Sequence, residues 1–230
     1  MLDSTIRPSD RSELGRLLAV CPRLTLHAGE VHGADYFSEA ALLLVEAGIV
    51  VIASAARSKR RIVLSFCSPG TLLPSPHSDE QLAALADSAI IALGPGVLLS
   101  LLQVPSAAAE IVAALLEALR ERQESLAQFA NVVHAERLRG KLLQLARTHG
   151  TVGSDGVRLE LPLTHELLAQ AVGSARETVT SAFRTLEREG FLVREGRLVR
   201  LMISPEILDS GERSPAAQAE DQPQVLGSPR

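Results

Sequence analysis

Residues 163–202 read LTHELLAQAVGSARETVTSAFRTLEREGFLVREGRLVRLM, and few folds accommodate that pattern. Thr164 is suited to cap a short helix bearing Leu167, Leu168 and Val172. Gly173 supplies a tight turn, and Ser174 then starts a second helix. Glu177, three residues on, completes a capping box with Ser174. Val179, Ala182, Phe183 and Leu186 give the second helix one apolar face, while Arg176, Thr178, Thr180, Ser181 and Arg184 make the other face polar. Gly190 stops it. Residues 191–194, the pair Glu195-Gly196 and residues 197–202 then read as a β-hairpin carrying Arg194, Arg197 and Arg200. Two short helices around a glycine turn, followed by a hairpin, are the parts of a winged helix-turn-helix.

Upstream, residues 106–133 contain neither Gly nor Pro. Ile111, Leu115, Leu119, Leu126, Phe129 and Val133, with Arg122 in the gap, fall close to heptad spacing. The spacing predicts a long helix that pairs with a copy of itself; the alternative is a helix packed on its own domain. A second helix is expected over 135–148, stopped by Gly150, with a polar loop at 151–156. Between residues 24 and 93 short apolar runs at 40–45, 49–53, 61–66 and 88–93 alternate with turn signals at Glu46-Ala47-Gly48 and Ser68-Pro69-Gly70, which suggests a small β unit. Residues 1–20 predict a short amphipathic helix with Leu14, Leu17 and Leu18 on one face. Past Pro205 the Ser-, Pro- and Glu-rich chain is expected to be a disordered tail.

Composition narrows the function classes. A net charge of −4 excludes a wholly basic nucleic-acid coat. Residues 134–204 nevertheless carry eleven Lys+Arg against eight Asp+Glu, so phosphate contacts belong there. No apolar run is long enough for a membrane span. The first residues lack a basic start followed by an apolar block, so a cytoplasmic protein is expected. Cys21 and Cys67 are too few for a disulfide framework. No glycine-rich phosphate loop, zinc signature or nucleophile elbow occurs, so neither catalysis nor a metal is expected.

At residues 163–202 the chain resembles the winged helix-turn-helix of the CRP/FNR family, the cyclic-AMP receptor protein type of regulator. The resemblance is carried by Leu163-Thr164, Leu168-Ala169, Val172-Gly173, Ser174, Arg176-Glu177-Thr178-Val179, Leu186-Glu187, Gly190 and Phe191-Leu192. It is looser over the rest of the chain. It implies an α+β fold: a jelly-roll-like β-roll over 1–104, a degenerate form of a cyclic-nucleotide-binding domain; a dimerisation helix over 105–134; the winged helix-turn-helix over 135–204; and the tail over 205–230. It further implies a cytoplasmic homodimer that binds double-stranded DNA and meets RNA polymerase. Arg176 would donate to a guanine, a bidentate pairing. Glu177 would accept from a base amino group or only complete the capping box. Ser174 and Thr178 would touch phosphate or help cap the helix. Thr180, Ser181, Arg184 and Arg197 complete the candidate set, Arg184 as a phosphate ligand or a solvated charge. Many family members carry arginine where this chain has Ser181, so the third base contact of the usual half-site is expected to differ. A winged helix that docks protein instead of DNA is the rival reading, disfavoured by the polar start of the second helix.

The sensory half departs from the family. Members that bind cyclic nucleotide carry a Gly-Glu pair, a short helix and Arg-x-Ala. Here TLLPSPHSDEQLAALADSAIIAL follows Gly70 and contains neither motif. A buried phosphate without a basic partner is costly, so cyclic AMP is not expected. Arg122 and Gln123 are the candidate ligand residues. An Arg122 pair across a dimer would suit cyclic di-GMP, and a solvated edge charge is the alternative. Two cysteines cannot hold an iron–sulfur cluster. His27, His32 and His77 with Cys67 fit no haem signature, and nothing adjacent in sequence is expected to lower the Cys67 pKa.

Overall fold

The computed structural model describes residues 13–54, 61–131, 133–196 and 198–209. Helix α1 (Glu13–Ala19) leads into eight strands: β1 (Arg23–Leu26), β2 (Val31–Gly33), β3 (Leu42–Ala47), β4 (Val50–Ser54), β5 (Val63–Cys67), β6 (Leu72–Pro74), β7 (Glu80–Ala84) and β8 (Ser88–Leu93). They form two antiparallel sheets, ordered β1-β8-β3-β6 and β2-β7-β4-β5. Leu26, Leu43, Val45, Leu73 and Ile90 of one sheet meet Val50, Ile52, Cys67 and Leu82 of the other. The outer faces are buried as well. Leu42, Leu44, Leu72, Ile91 and Leu93 pack beneath helices, and Val51, Ala53, Val63 and Phe66 pack against the C-terminal half. Strands covered on both sides read as unbroken apolar runs, which is why 42–45 is LLLV instead of an alternation.

Helix α2 (Pro95–Leu102), which the sequence reading missed, starts with proline at its first turn. The long helix α3 (Pro105–Asn131) follows. Its expected seam divides between two faces. Ile111 is 3 % exposed and packs with Ala107 and Ala114 on its own β-roll, with Leu115 beside them. The exposed apolar stripe is instead Val112, Leu116 and Leu119, at 51 %, 49 % and 51 %. The expectation merged the two faces because both repeat at helical spacing. The side chains of Leu126 and Phe129 lie outside the described residues.

Helix α4 (His134–His149) is followed by β9 (Gly150–Gly153) and β10 (Gly156–Leu159), an antiparallel pair where a polar loop was expected. Gly156 makes this possible. Its φ of +122° is open to glycine, and a Cβ there would stand 2.1 Å from the Leu201 carbonyl oxygen. Then come α5 (His165–Val172), α6 (Arg176–Arg188), β11 (Leu192–Glu195) and β12 (Leu198–Leu201) in a sheet ordered β11-β12-β10-β9. The expected tail begins with helix α7 (Glu206–Asp209). Leu208 packs on the core, and the Arg147 side chain donates to its carbonyl at 3.2 Å. The rest of that tail lies outside the described residues, as do residues 1–12 of the expected first helix.

Helix α4 grips both halves. Toward the helix-turn-helix, His134 Nδ1 meets Ser174 Oγ at 2.8 Å, Arg137 donates to the Val172 carbonyl at 3.2 Å, and Arg139 pairs with Glu189. Toward the β-roll, Lys141 is 2 % exposed, donates to Gln144 Oε1 at 3.0 Å and lies 5.6 Å from the Phe66 ring centre. Gln144 in turn donates to the Glu121 carbonyl at 3.5 Å. No single helix among the described residues is long and apolar enough to cross a membrane.

Candidate nucleic-acid interface

The Thr164 hydroxyl accepts from the Leu167 amide at 3.1 Å and so caps α5, as expected. Gly173 ends that helix in the left-handed region at φ +62°, turning the chain toward α6. The cap of α6 differs from the expected box. The capping residue is Ala175, one after Ser174, and it makes no side-chain cap; the helix itself begins at Arg176. Ser174 has turned its hydroxyl to His134 across the turn, a long-range partner that displaces the local one. Val179, Ala182, Phe183 and Leu186 are buried and seat α6 in the core.

The opposite face is open. Arg176, Glu177, Thr180, Ser181 and Arg184 line one shallow surface depression, with Glu187 and Arg188 at its far end. Five of the expected contact residues therefore converge on one face over little more than two helical turns. Thr178 is half-buried to one side, Ser174 is engaged with His134, and Arg197 lies outside the described residues. Glu187 and Arg188 were missed, although their spacing from Arg184 on one helix places them in reach. His165 was missed too. Its Nδ1 lies 2.9 Å from Thr180 Oγ1 and its ring centre 5.1 Å from that of Phe183. Burial, with the Arg194, Arg176 and Arg184 guanidiniums nearby, holds the His165 pKa below its ordinary value, against an opposing pull from Glu187. No sequence pattern links positions fifteen residues apart on different helices.

The wing offers fewer free cations than its sequence suggests. Arg200 pairs with Asp155 at 3.0 Å and with Glu195 at 2.7 Å, and Arg158 pairs with Glu160 at 2.8 Å. Arg194 is exposed, and its guanidinium lies 5.7 Å from the Phe183 ring centre.

In the N-terminal half, Arg122 is half-buried and pairs with Glu80 of the β-roll at 3.4 Å, so its charge is already matched within the chain. Gln123 is exposed. Cys67 is buried, and burial, with Glu121 adding to it, pushes its thiol up to about 12, which leaves it inert at neutral pH. His27, His32 and His77 each meet a different carboxylate, those of Asp87, Glu30 and Asp79. Among the described residues no three His, Cys, Asp or Glu side chains converge as a metal would require.

Residues 136–204 match the family described as the Crp-like helix-turn-helix domain. Over 95 residues the chain is 33 % identical to the CRP-like cAMP-activated global transcriptional regulator of Mycobacterium tuberculosis, which covers 41 % of this chain and 42 % of that protein. The chain thus matches less than half the length of this curated relative. Its fold is similar to that of a CooA mutant from Carboxydothermus hydrogenoformans, with TM-score 0.71 and 20 % identity over 89 % of this chain and 97 % of the other. It is also similar to the c-di-GMP responsive global regulator CLP of Xanthomonas campestris, with TM-score 0.65 and 20 % identity over 83 % and 98 %.

Proposed function

We propose that this chain is a regulator of the CRP/FNR type, a sequence-specific DNA-binding transcription regulator working as a homodimer, a reading supported by its similarity to the Crp-like helix-turn-helix family, to the mycobacterial regulator and to the CooA fold. The observation that carries the reading is the open polar face of α6, where Arg176, Glu177, Thr180, Ser181 and Arg184 converge without an apolar residue among them. A helix so placed enters the major groove, and a guanidinium at its first turn reaches guanine acceptors. The exposed stripe Val112, Leu116 and Leu119 supports pairing of two α3 helices. Such a dimer presents two copies of α6 to half-sites about one helical turn, roughly 34 Å, apart. The reading places the protein in the cytoplasm, at promoters, with RNA polymerase as a further partner, and gives it no catalytic step.

For the effector, Arg122 and Gln123 remain the proposed contacts of an anionic dinucleotide. The Arg122–Glu80 pair adds a condition, since such a ligand must displace the Glu80 carboxylate. Calorimetric titration with cyclic di-GMP that yields no heat would remove this part of the proposal.

The test of the main reading is selection from a random-sequence duplex pool. Wild-type protein is expected to enrich a palindrome. Arg176→Ala is expected to weaken binding roughly 10- to 100-fold and to relax one base pair of each half-site. A pool left unenriched would transfer the winged helix to a protein partner.

A further inference from the structure

The Thr180 hydroxyl has one hydrogen. It lies 2.9 Å from the Arg176 carbonyl oxygen, one turn back on α6, and donates to it. Toward His165 Nδ1, also at 2.9 Å, the same oxygen can therefore only accept. The reverse assignment would leave two oxygen acceptors facing each other at 2.9 Å with no hydrogen between them. His165 is thus held with its proton on Nδ1, and its other ring nitrogen is a bare lone pair. That Nε2 atom is buried and has no hydrogen-bond partner. A second proton there would place a cation near Arg176 and Arg184 of α6 and Arg194 of β11, with Glu187 of α6 opposing them. The ring therefore stays neutral and keeps its Nδ1–H on Thr180.

A threonine side chain ends in two groups, a hydroxyl and a methyl. Here the hydroxyl is fixed between α5 and the α6 backbone, while Thr180 still lines the open face. With its hydrogen given to Arg176 and one lone pair taken by His165, the hydroxyl has no donor left for the groove, and the methyl is the group that remains for an apolar contact. The chemical partner of an exposed methyl on a major-groove edge is the C5-methyl of thymine. We infer that Thr180, positioned by His165, reads a thymine methyl in each half-site. The inference rests on the DNA-reading assignment and adds to it one base identity and the residue that sets it.

The experiment starts from the site enriched by the full-length wild-type protein. Each thymine of the half-site is replaced in turn by uracil, which lacks only the methyl group. One replacement is expected to weaken wild-type binding about fourfold, the worth of one buried methyl. Thr180→Ser keeps the hydroxyl bonds and loses the methyl, so it should bind the two duplexes alike. Thr180→Val keeps a methyl and should retain the preference. His165→Asn carries an N–H donor in place of Nδ1–H and should retain it too, whereas His165→Leu leaves the hydroxyl held only by the Arg176 carbonyl, no longer tied to α5, and should weaken it. Melting curves of the variants separate this loss from unfolding. A wild-type protein that enriches no sequence overturns the DNA-reading assignment and this inference with it. One that enriches a sequence yet binds thymine and uracil equally at every position overturns this inference alone, as does a preference undiminished in Thr180→Ser.

Discussion

His149 closes α4 against the β-roll, its ring centre 6.5 Å from that of Phe66. Burial, reinforced by the Lys141 ammonium, pushes its imidazole down to about 4 from an ordinary 6.5. The folded protein binds fewer protons at this site than the unfolded chain does. Its contribution is therefore complete above about pH 6.5 and is lost as the pH falls toward 4, a loss of about 3 kcal/mol. Denaturant titrations across that range should show a slope that His149→Gln removes. At Gly156 an alanine would combine a forbidden φ with a clash on the Leu201 carbonyl. Gly156→Ala should cost on the order of 3 kcal/mol, visible as a lowered melting temperature. Among single residues, local chemistry was legible and long-range chemistry was not. The Thr164 cap could be read because its partner lies three residues away. The Ser174 cap misled because the competing partner, His134, lies forty residues away.

Helix α3 shows why an element can be found in the sequence while its faces are confused. Its length follows from the absence of Gly and Pro, but Ile111 serves the β-roll and Leu116 faces solvent. Only the position of the neighbouring sheet distinguishes them. If α3 helices pair through this stripe as proposed, wild-type protein should sediment as a dimer and Leu116→Glu as a monomer at the same concentration, with little loss of monomer stability. Dimerisation unaffected by Leu116→Glu would move the interface elsewhere. The strands at 42–47 and 88–93 were legible as apolar runs. The β9–β10 pair was not, because its short strands are rich in glycine and the pairing of β10 with β12 is long-range.

Across the whole molecule, the order β-roll, long helix, winged helix-turn-helix could be read from the chain, because one local motif pointed to it. The core shared between the halves could not. Val51, Ala53, Val63 and Phe66 of the β-roll join one apolar cluster with α4, α5 and α6. Calorimetry should accordingly show the two halves melting in a single transition. Phe66→Ala, with a cost of about 3–5 kcal/mol, should lower hydrogen-exchange protection along α4 as well as in the β-roll. That common cluster also limits how such chains can be recombined. A C-terminal half cut away at residue 133 leaves part of its floor behind, so a chimera that grafts it onto a foreign N-terminal half must carry the outer faces of β4 and β5 along. In lineages where these halves are exchanged, residues 51, 53, 63 and 66 should travel with the C-terminal half and not with the β-roll they are drawn from.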